Sequence, residues 1–329
     1  MIENKKVQCV KGSYYVYLPK KWCDLHIGYD VKEVAIKRME DDTLLILPHD
    51  HKIDASKQLE IIIDEKHSIE YILNTILTAY IIGVTKIIVE MQQKERIPLE
   101  FQSHISIFTK GLLGFSVVEQ DATHIEIRDL SQSGEIKATM KQMLSKVGLV
   151  FDLLIDILEK RKDDFKDQLK MLINQDDIVD EYRYQIDRQT HLLLQHPSLS
   201  QMIKITPVEC LHYAQAARTL ERIADHITRV ASEILVIESN GSKISPQIVP
   251  ILRKALTFYN IVVDLFYRSN TLEMYGKLSE MNKLSIDEKI LNLGDANEKQ
   301  IYLHIERIIH HCADILEIRI NSAILSKLN

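Results

Sequence analysis

Two pairs of carboxylates are the residues of this sequence best suited to chemistry. Glu221 and Asp225 lie in the run TLERIADH, and Asp176 and Asp180 lie upstream of them. Residues i and i+4 of a helix lie on one face, so each pair can direct its oxygens toward one point. Two such pairs on neighbouring helices predict an oxygen-rich site for Mg, Mn, Fe or Zn.

The same acids also fit an ordinary solvated helix surface. Arg222, Arg183 and Arg188 lie close to them in the sequence and could neutralise them. Pairs of this kind are common on exposed helix faces. The spacing alone therefore leaves both interpretations open.

A bundle of long helices must position these acids. An apolar stripe predicts the buried face of the helix that carries Glu221 and Asp225; it consists of Leu220, Ile223, Ala224, Ile227, Ala231 and Ile234. Thr206-Pro207-Val208-Glu209 is a helix-start signal. Helices are predicted at 136–171, 175–195, 207–239, 246–271, 276–292 and 295–328. Their order favours a bundle (132–329) of two three-helix repeats, 132–240 and 241–329.

The chain before the bundle has a different pattern. Four short strands are predicted in residues 1–50, at 7–10, 14–18, 34–36 and 44–47, and they form a small β unit. Residues 51–131 alternate between strands at 59–63, 86–90, 115–119 and 124–127 and helices at 69–83 and 101–112. The predicted fold class is therefore multi-domain and mainly α, with a small β unit, an α/β segment of unknown role and a helical bundle.

The motif around Glu221 resembles a known family. The run LERIADHITRVA at residues 220–231 is similar to the LERIGDHxxNIA signature of the PhoU family of phosphate uptake regulators, with Ala224 and Arg229 in place of Gly and Asn. The run DDIVDE, which begins at Asp176, resembles the family's other acidic motif. The resemblance implies two three-helix repeats that hold metal clusters through E/D-x-x-x-D pairs. It implies a divalent or trivalent ion (Fe, Zn, Mg or Mn) as cofactor, with four ligands: Asp176, Asp180, Glu221 and Asp225.

The second repeat departs from that pattern. The run IERIIH keeps Glu306 but places His310 where the first repeat has an acid, and the partner helix offers Lys283. We therefore expect one well-formed carboxylate cluster instead of two. Glu306, His310 and Asp314 share a helix face and could form a smaller site that includes nitrogen. The alternative is a polar surface stripe.

The front of the chain carries a second resemblance. The runs KGSYYVYLPKKW at 11–22 and LLILP at 44–48 are similar to the AbrB/SpoVT swapped-hairpin domain. The resemblance implies an obligate homodimer that binds DNA through a basic face, here Lys5, Lys6, Lys11, Lys20 and Lys21. The alternative is an edge of lysines that prevents strand aggregation.

Composition limits the remaining classes. The 329 residues carry a net charge of -6, with 46% apolar and 27% charged residues, which is typical of a folded, helix-rich protein. The four cysteines are scattered, as in reduced intracellular proteins. We find no signal peptide, membrane-length apolar run or phosphate-binding loop, and expect a cytoplasmic protein without membrane insertion.

Together these features resemble the archaeal type of PhoU-related regulator. The expected function is non-enzymatic: metal-dependent regulation of phosphate uptake through DNA, a phosphate transporter ATPase or a signalling protein. One alternative is an AbrB-type transcription factor whose bundle senses or dimerises. A weaker alternative is a metalloenzyme on a carboxylate bundle.

Overall fold

The computed structural model describes residues 4–27, 33–38, 42–48, 57–64, 66–131, 135–196, 199–200, 203–283 and 296–327. The chain divides into two units, Met1–Asp54 and Ala55–Asn329. The α/β segment and the helical bundle therefore belong to the same unit.

Two antiparallel hairpins and a short helix make up the described part of the first unit. Strand β1 (Val7–Val10) pairs with β2 (Ser13–Val16), and β3 (Val34–Arg38) pairs with β4 (Leu44–Pro48). These strands confirm the predicted ones to within a few residues. Helix α1 (Lys20–His26) was not predicted, because seven residues are too few to establish a helical period.

The first hairpin turns at Lys11 and Gly12, whose φ angles are 50° and 84°. Two consecutive positive φ angles are what a two-residue hairpin turn requires, and glycine meets that requirement without strain. None of the described residues of this unit is buried, and Val7, Tyr14 and Tyr17 are 61%, 77% and 68% exposed. The described hairpins thus have no core of their own.

The second unit begins with a four-stranded sheet. Its strands are β5 (Gln58–Ile63), β6 (Lys86–Met91), β7 (Phe115–Gln120) and β8 (His124–Asp129), in the spatial order β5-β6-β8-β7. Strands β5 and β6 are parallel, and the other pairs are antiparallel. The predicted strands are confirmed.

Two helices cover one face of this sheet. Helix α2 (Ile69–Ile81) starts where the Ser68 hydroxyl accepts a hydrogen bond from the backbone N–H of Tyr71, and helix α3 (Leu99–Lys110) follows β6. Alternate strand residues and one face of each helix fill the core; Ile63, Ile72, Ile76, Ile87, Ile105, Ile125 and Ile127 are fully buried there. Such period-two and helical spacings made this segment predictable.

Seven described helices form the bundle. They are α4 (Ile136–Lys160), α5 (Phe165–Ile173), α6 (Asp176–Gln195), α7 (Pro207–Ser239), α8 (Ile248–Leu265), α9 (Thr271–Asn282) and α10 (Ala296–Leu325). Helix α7 starts with the predicted capping box: the Thr206 hydroxyl accepts from the Glu209 N–H, and the Glu209 carboxylate accepts from the Thr206 N–H. Among the described residues, no helix is both long and apolar enough to cross a membrane.

The predicted helix 136–171 was wrong in its length. It breaks after Lys160, because Arg161 adopts a left-handed conformation with φ 36° that ends α4. The predicted helix 276–292 also starts earlier, at Thr271, since the Asn270 side chain accepts a hydrogen bond from the Glu273 N–H and caps α9.

Helix α7 is the centre of the bundle and packs on α10, α6, α4 and α5. Its predicted apolar stripe is confirmed: Leu220, Ile223, Ala224, Ile227, Ala231 and Ile234 are all fully buried. The alanines of this stripe lack bulk, so neighbouring helices can approach closely. One edge of α7 faces α6, and another edge faces α10.

Helix α6 joins the bundle to the α/β segment. The buried Arg188 guanidinium donates hydrogen bonds to the carbonyls of Tyr80 and Val84 and to the Asp129 carboxylate at 2.5 Å. The same guanidinium lies 5.0 Å from the ring centroids of Tyr80 and Phe115. One side chain thus ties four residues of the α/β segment to α6.

Candidate metal centre

The α6–α7 contact brings three of the four predicted carboxylates to one place. Asp180 lies on α6 and faces Glu221 and Asp225 on α7, and all three side chains are partly buried. The side chain of the fourth, Asp176, lies outside the described residues. The i,i+4 spacing places Glu221 and Asp225 on one edge of α7, and the apolar stripe turns that edge toward α6.

Electrostatics at this contact favour a bound cation. Burial raises the pKa of Asp180 and of Glu221, and repulsion from Asp225 raises both further. Arg183 opposes both shifts. A positive charge nearby favours the ionised form of such crowded carboxylates and so offsets their burial and mutual repulsion.

Arg183 already supplies part of that charge. Its Nε lies 3.7 Å from Asp180 Oδ1, and its Nη1 lies 3.3 Å from the buried carboxylate of Asp187. On α7, Arg229 lies 3.7 Å from Asp225. The interpretation of these acids as partners of arginines is therefore supported for Asp180 through Arg183. Arg188 instead binds Asp129.

A metal ion fits the donors that remain. Asp180 Oδ1 is buried and accepts no hydrogen bond, although Arg183 Nε lies 3.7 Å away, so this oxygen keeps lone pairs that can bind an ion. Carboxylate oxygens suit a hard or borderline ion. Among the described residues, oxygens of Asp180, Glu221 and Asp225 do not all lie within 4.8 Å of one another, so binding requires side-chain rotation.

The predicted second site on α10 is not gathered around one point either. Its three residues do not form a group of ligand atoms within 4.8 Å of one another in the described part of the chain. His310 is exposed, and Glu306 is partly buried on the same helix. Asp314 accepts a hydrogen bond from Nδ1 of His311 at 3.0 Å. The histidine that pairs with Asp314 is therefore His311 and not the predicted His310.

Sequence reasoning missed a cluster of histidines between α7 and α10. His226 Nδ1 lies 3.0 Å from His304 Nδ1, and the His311 ring stacks on His226 with centroids 5.6 Å apart. Burial, followed by the nearby charges of His304, His311, Arg229 and Arg307, lowers the pKa of His226 to about 4. The i,i+7 spacing of His304 and His311 was a signal, but His226 lies 78 positions before His304.

A second missed group lies on the sheet. Glu119, His124 and Glu126 bring ligand atoms within 4.8 Å of one another, the one such trio among the described residues. Glu126, however, already binds Lys86 at 2.8 Å and also Arg128, and these cations lower its pKa. Its carboxylate is thereby neutralised, and we interpret the group as a salt-bridge network.

The predicted DNA-binding lysines all lie on the surface of the first unit. Lys5 and Lys6 precede β1, Lys11 is in the hairpin turn, and Lys20 and Lys21 open α1. All five are exposed. Their exposure is compatible with either interpretation, phosphate contact or a protective edge.

Comparisons with known proteins place part of the bundle in a family. Residues 140–234, which span most of α4 through α7, match the family described as PhoU domain. This segment matches the PhoU family. It contains Asp180, Glu221 and Asp225, and it confirms the PhoU resemblance that the LERIADH motif indicated.

One solved structure is also similar to the chain. It is the phosphate transport system regulatory protein PhoU from Streptococcus pneumoniae, with 14% identity and a TM-score of 0.44. The similarity covers 56% of this chain and 95% of that one. No curated protein matches the chain.

Proposed function

We propose that this protein is a metal-binding, non-enzymatic regulator of phosphate uptake. The observation that carries the proposal is the group of partly buried carboxylates Asp180, Glu221 and Asp225 inside the segment that matches the PhoU domain. PhoU proteins regulate phosphate uptake, and the sequence resemblance to them includes these residues.

The metal acts as a structural and signalling element in this proposal. An ion such as Fe, Mn, Zn or Mg held between α6 and α7 neutralises the repulsion among the carboxylates and fixes the two helices together. Coordination positions that stay open on the ion can accept a phosphate group or a carboxylate of a partner protein. The partner is a phosphate transporter ATPase or a signalling protein.

Metal-dependent stability tests the site. Mn²⁺ added to metal-free protein raises the melting temperature, since a ligand at about 100 times its Kd stabilises by roughly 2.7 kcal/mol. Glu221→Gln abolishes most of that rise. Glu317→Gln, an exposed acid on α10, preserves it. Equal metal-induced shifts in both variants contradict the proposal.

Phosphate uptake tests the function. Cells that carry Glu221→Gln in place of the wild-type gene fail to restrict phosphate uptake when phosphate is abundant, whereas cells with Glu317→Gln restrict it normally. The readout is the uptake of labelled phosphate at equal protein levels. If uptake is the same in both strains, regulation does not depend on this site.

The first unit supports a second element of the proposal, a homodimer. Its described hairpins expose Val7, Tyr14 and Tyr17, and no described residue there is buried. Isolated two-stranded hairpins are marginally stable in water, and exposed apolar patches mark interaction sites; in this proposal a second copy covers the surface. The AbrB/SpoVT resemblance implies such a dimer. The mass in solution is then twice 38.1 kDa, and a monomer mass contradicts the proposal.

A transcription factor that uses the bundle as a sensor is the second candidate. The AbrB/SpoVT resemblance suggests it, and the exposed positions of Lys5, Lys6, Lys11, Lys20 and Lys21 are consistent with it, because surface lysines can supply the phosphate contacts of DNA binding. The test is binding to the promoter of its own gene at two salt concentrations. Affinity that falls steeply with salt supports DNA binding, and no binding at low salt rejects it.

A further inference from the structure

Three imidazoles meet where α7 crosses α10. His226 on α7 and His304 on α10 present their Nδ1 atoms to each other at 3.0 Å, with ring centroids 5.1 Å apart. His311, two turns along α10, stacks on His226 at an interplanar angle of 15°. All three rings are partly buried. Asp180, Glu221 and Asp225 take no part in these contacts.

We propose that His226, His304 and His311 form a separate binding site for a divalent transition-metal ion, with Zn²⁺, Ni²⁺, Co²⁺ and Cu²⁺ as the fitting class. Nitrogen ligands select these ions over Mg²⁺ and Mn²⁺, which prefer oxygen. The site therefore differs in metal preference from the carboxylates on the α6 side of α7.

The spacing of the first two ligands is close to what a metal needs. Zn–N bonds are about 2.0–2.1 Å long, so two nitrogens at a tetrahedral angle lie roughly 3.4 Å apart. The His226 and His304 Nδ1 atoms are 3.0 Å apart. Metal binding therefore requires an opening of a few tenths of an ångström and a rotation of the two rings. The proton on the donating Nδ1 moves to the Nε2 of that ring or to solvent, so that both Nδ1 lone pairs can bind the ion.

The third ligand is oriented by a carboxylate. The Nδ1–H of His311 donates to Asp314 Oδ2 at 3.0 Å, which leaves Nε2 as the free ligand atom. Metal-binding histidines commonly have such a carboxylate behind them, and it raises their basicity. The described nitrogens of the three rings do not all lie within 4.8 Å of one another, so His311 turns toward the ion on binding. A water molecule completes a four-coordinate shell.

Two arginines face the same cluster. Arg229 and Arg307 add positive charge near His226, which works against a cation. Both side chains are exposed, however, and Arg229 lies 3.7 Å from the Asp225 carboxylate, so solvent and a counter-charge screen them. Three nitrogen ligands outweigh this screened repulsion.

Zinc affinity of the full-length, metal-stripped protein tests the site, with Glu221→Gln as the background that silences the carboxylate centre. We expect His304→Asn and His311→Asn to lower Zn²⁺ affinity at least tenfold, and Asp314→Asn to lower it about 10–100-fold through the lost carboxylate. His104→Asn is the control, because His104 is an exposed histidine on α3, outside the bundle. It leaves the affinity unchanged.

Two results overturn the proposal. One is a Zn²⁺ affinity in folded His304→Asn and His311→Asn that equals that of the His104→Asn control. The other comes from the X-ray absorption spectrum of zinc bound at one equivalent to the Glu221→Gln protein, which reports the ligand atoms around the zinc. A shell of oxygen ligands without imidazole rejects the site even if a histidine variant fails to fold, whereas two or three imidazoles support it.

Discussion

Replacing Arg188 with methionine tests how α6 holds the α/β segment against the bundle. Methionine keeps much of the length of the side chain but removes the guanidinium. The carbonyls of Tyr80 and Val84 then lose a charged donor, and Asp129, whose side chain is 14% exposed, loses its cation. These groups are close to one another, so their losses act as one event.

The expected cost follows from that geometry. Removing one partner of a buried ion pair costs about 3–5 kcal/mol, because the other charge remains desolvated. Ser131 still donates its backbone N–H and its hydroxyl to Asp129, which holds the loss near the lower end of the range. For a unit of this size, that loss lowers the melting temperature by roughly 6–12 °C.

The assay is chemical and thermal unfolding followed by circular dichroism at 222 nm. The single tryptophan, Trp22, lies in the first unit, so its fluorescence reports that unit separately. Arg253→Met is the matched control, since Arg253 forms an exposed pair with Glu159. We expect it to cost less than about 1 kcal/mol. A further change, Asp129→Asn, restores part of the stability of Arg188→Met because it removes the unpaired charge. Equal losses in Arg188→Met and Arg253→Met refute the reasoning.

Three further predictions concern other parts of the chain. Glu221→Gln stabilises the metal-free protein at pH 7 by about 0.5–1 kcal/mol. The pKa of Glu221 is raised in the folded state, so its ionised form destabilises the fold only at a pH above the ordinary pKa of 4.5. The melting temperatures of the variant and the wild type therefore converge as the pH falls to that value. Gly83→Ala destabilises the fold by roughly 1–3 kcal/mol, since φ at Gly83 is +90° and the added Cβ would lie 2.7 Å from Leu192 Cδ2. If the urea midpoint of unfolding is the same in this variant and the wild type, the packing described is wrong. If the first unit binds DNA, Lys20→Gln with Lys21→Gln weakens binding for all sequences alike and reduces the slope of log K against log salt by about 1.8, whereas a slope equal to that of the wild type removes these lysines from the interface.

The sequence predicted most of the elements that position the carboxylates. The stripe from Leu220 to Ile234 has the helical period, and Thr206 to Glu209 is a complete start signal, so local pattern alone was enough to place α7. Such local patterns survive in the fold when packing agrees with them. The break at Arg161 was missed because no glycine or proline marks it.

The remaining features depend on distances that a sequence does not contain. The His226–His304 contact depends on how closely α7 and α10 approach, and the alanines that permit this approach resemble any buried small residues. The Arg188 anchor likewise joins residues about a hundred positions apart. Arg183, in contrast, lies one turn from Asp180, and its pairing with that acid was among the alternatives the spacing had raised.

Mn²⁺ titration followed by electron paramagnetic resonance tests the central claim most directly, because free Mn²⁺ gives a strong signal that diminishes on binding. Metal-stripped wild-type protein and His304→Asn remove the free signal at stoichiometric protein. The double variant Glu221→Gln with Asp225→Asn leaves it in solution. If this double variant binds Mn²⁺ as tightly as the wild type, the carboxylates between α6 and α7 do not form a metal centre.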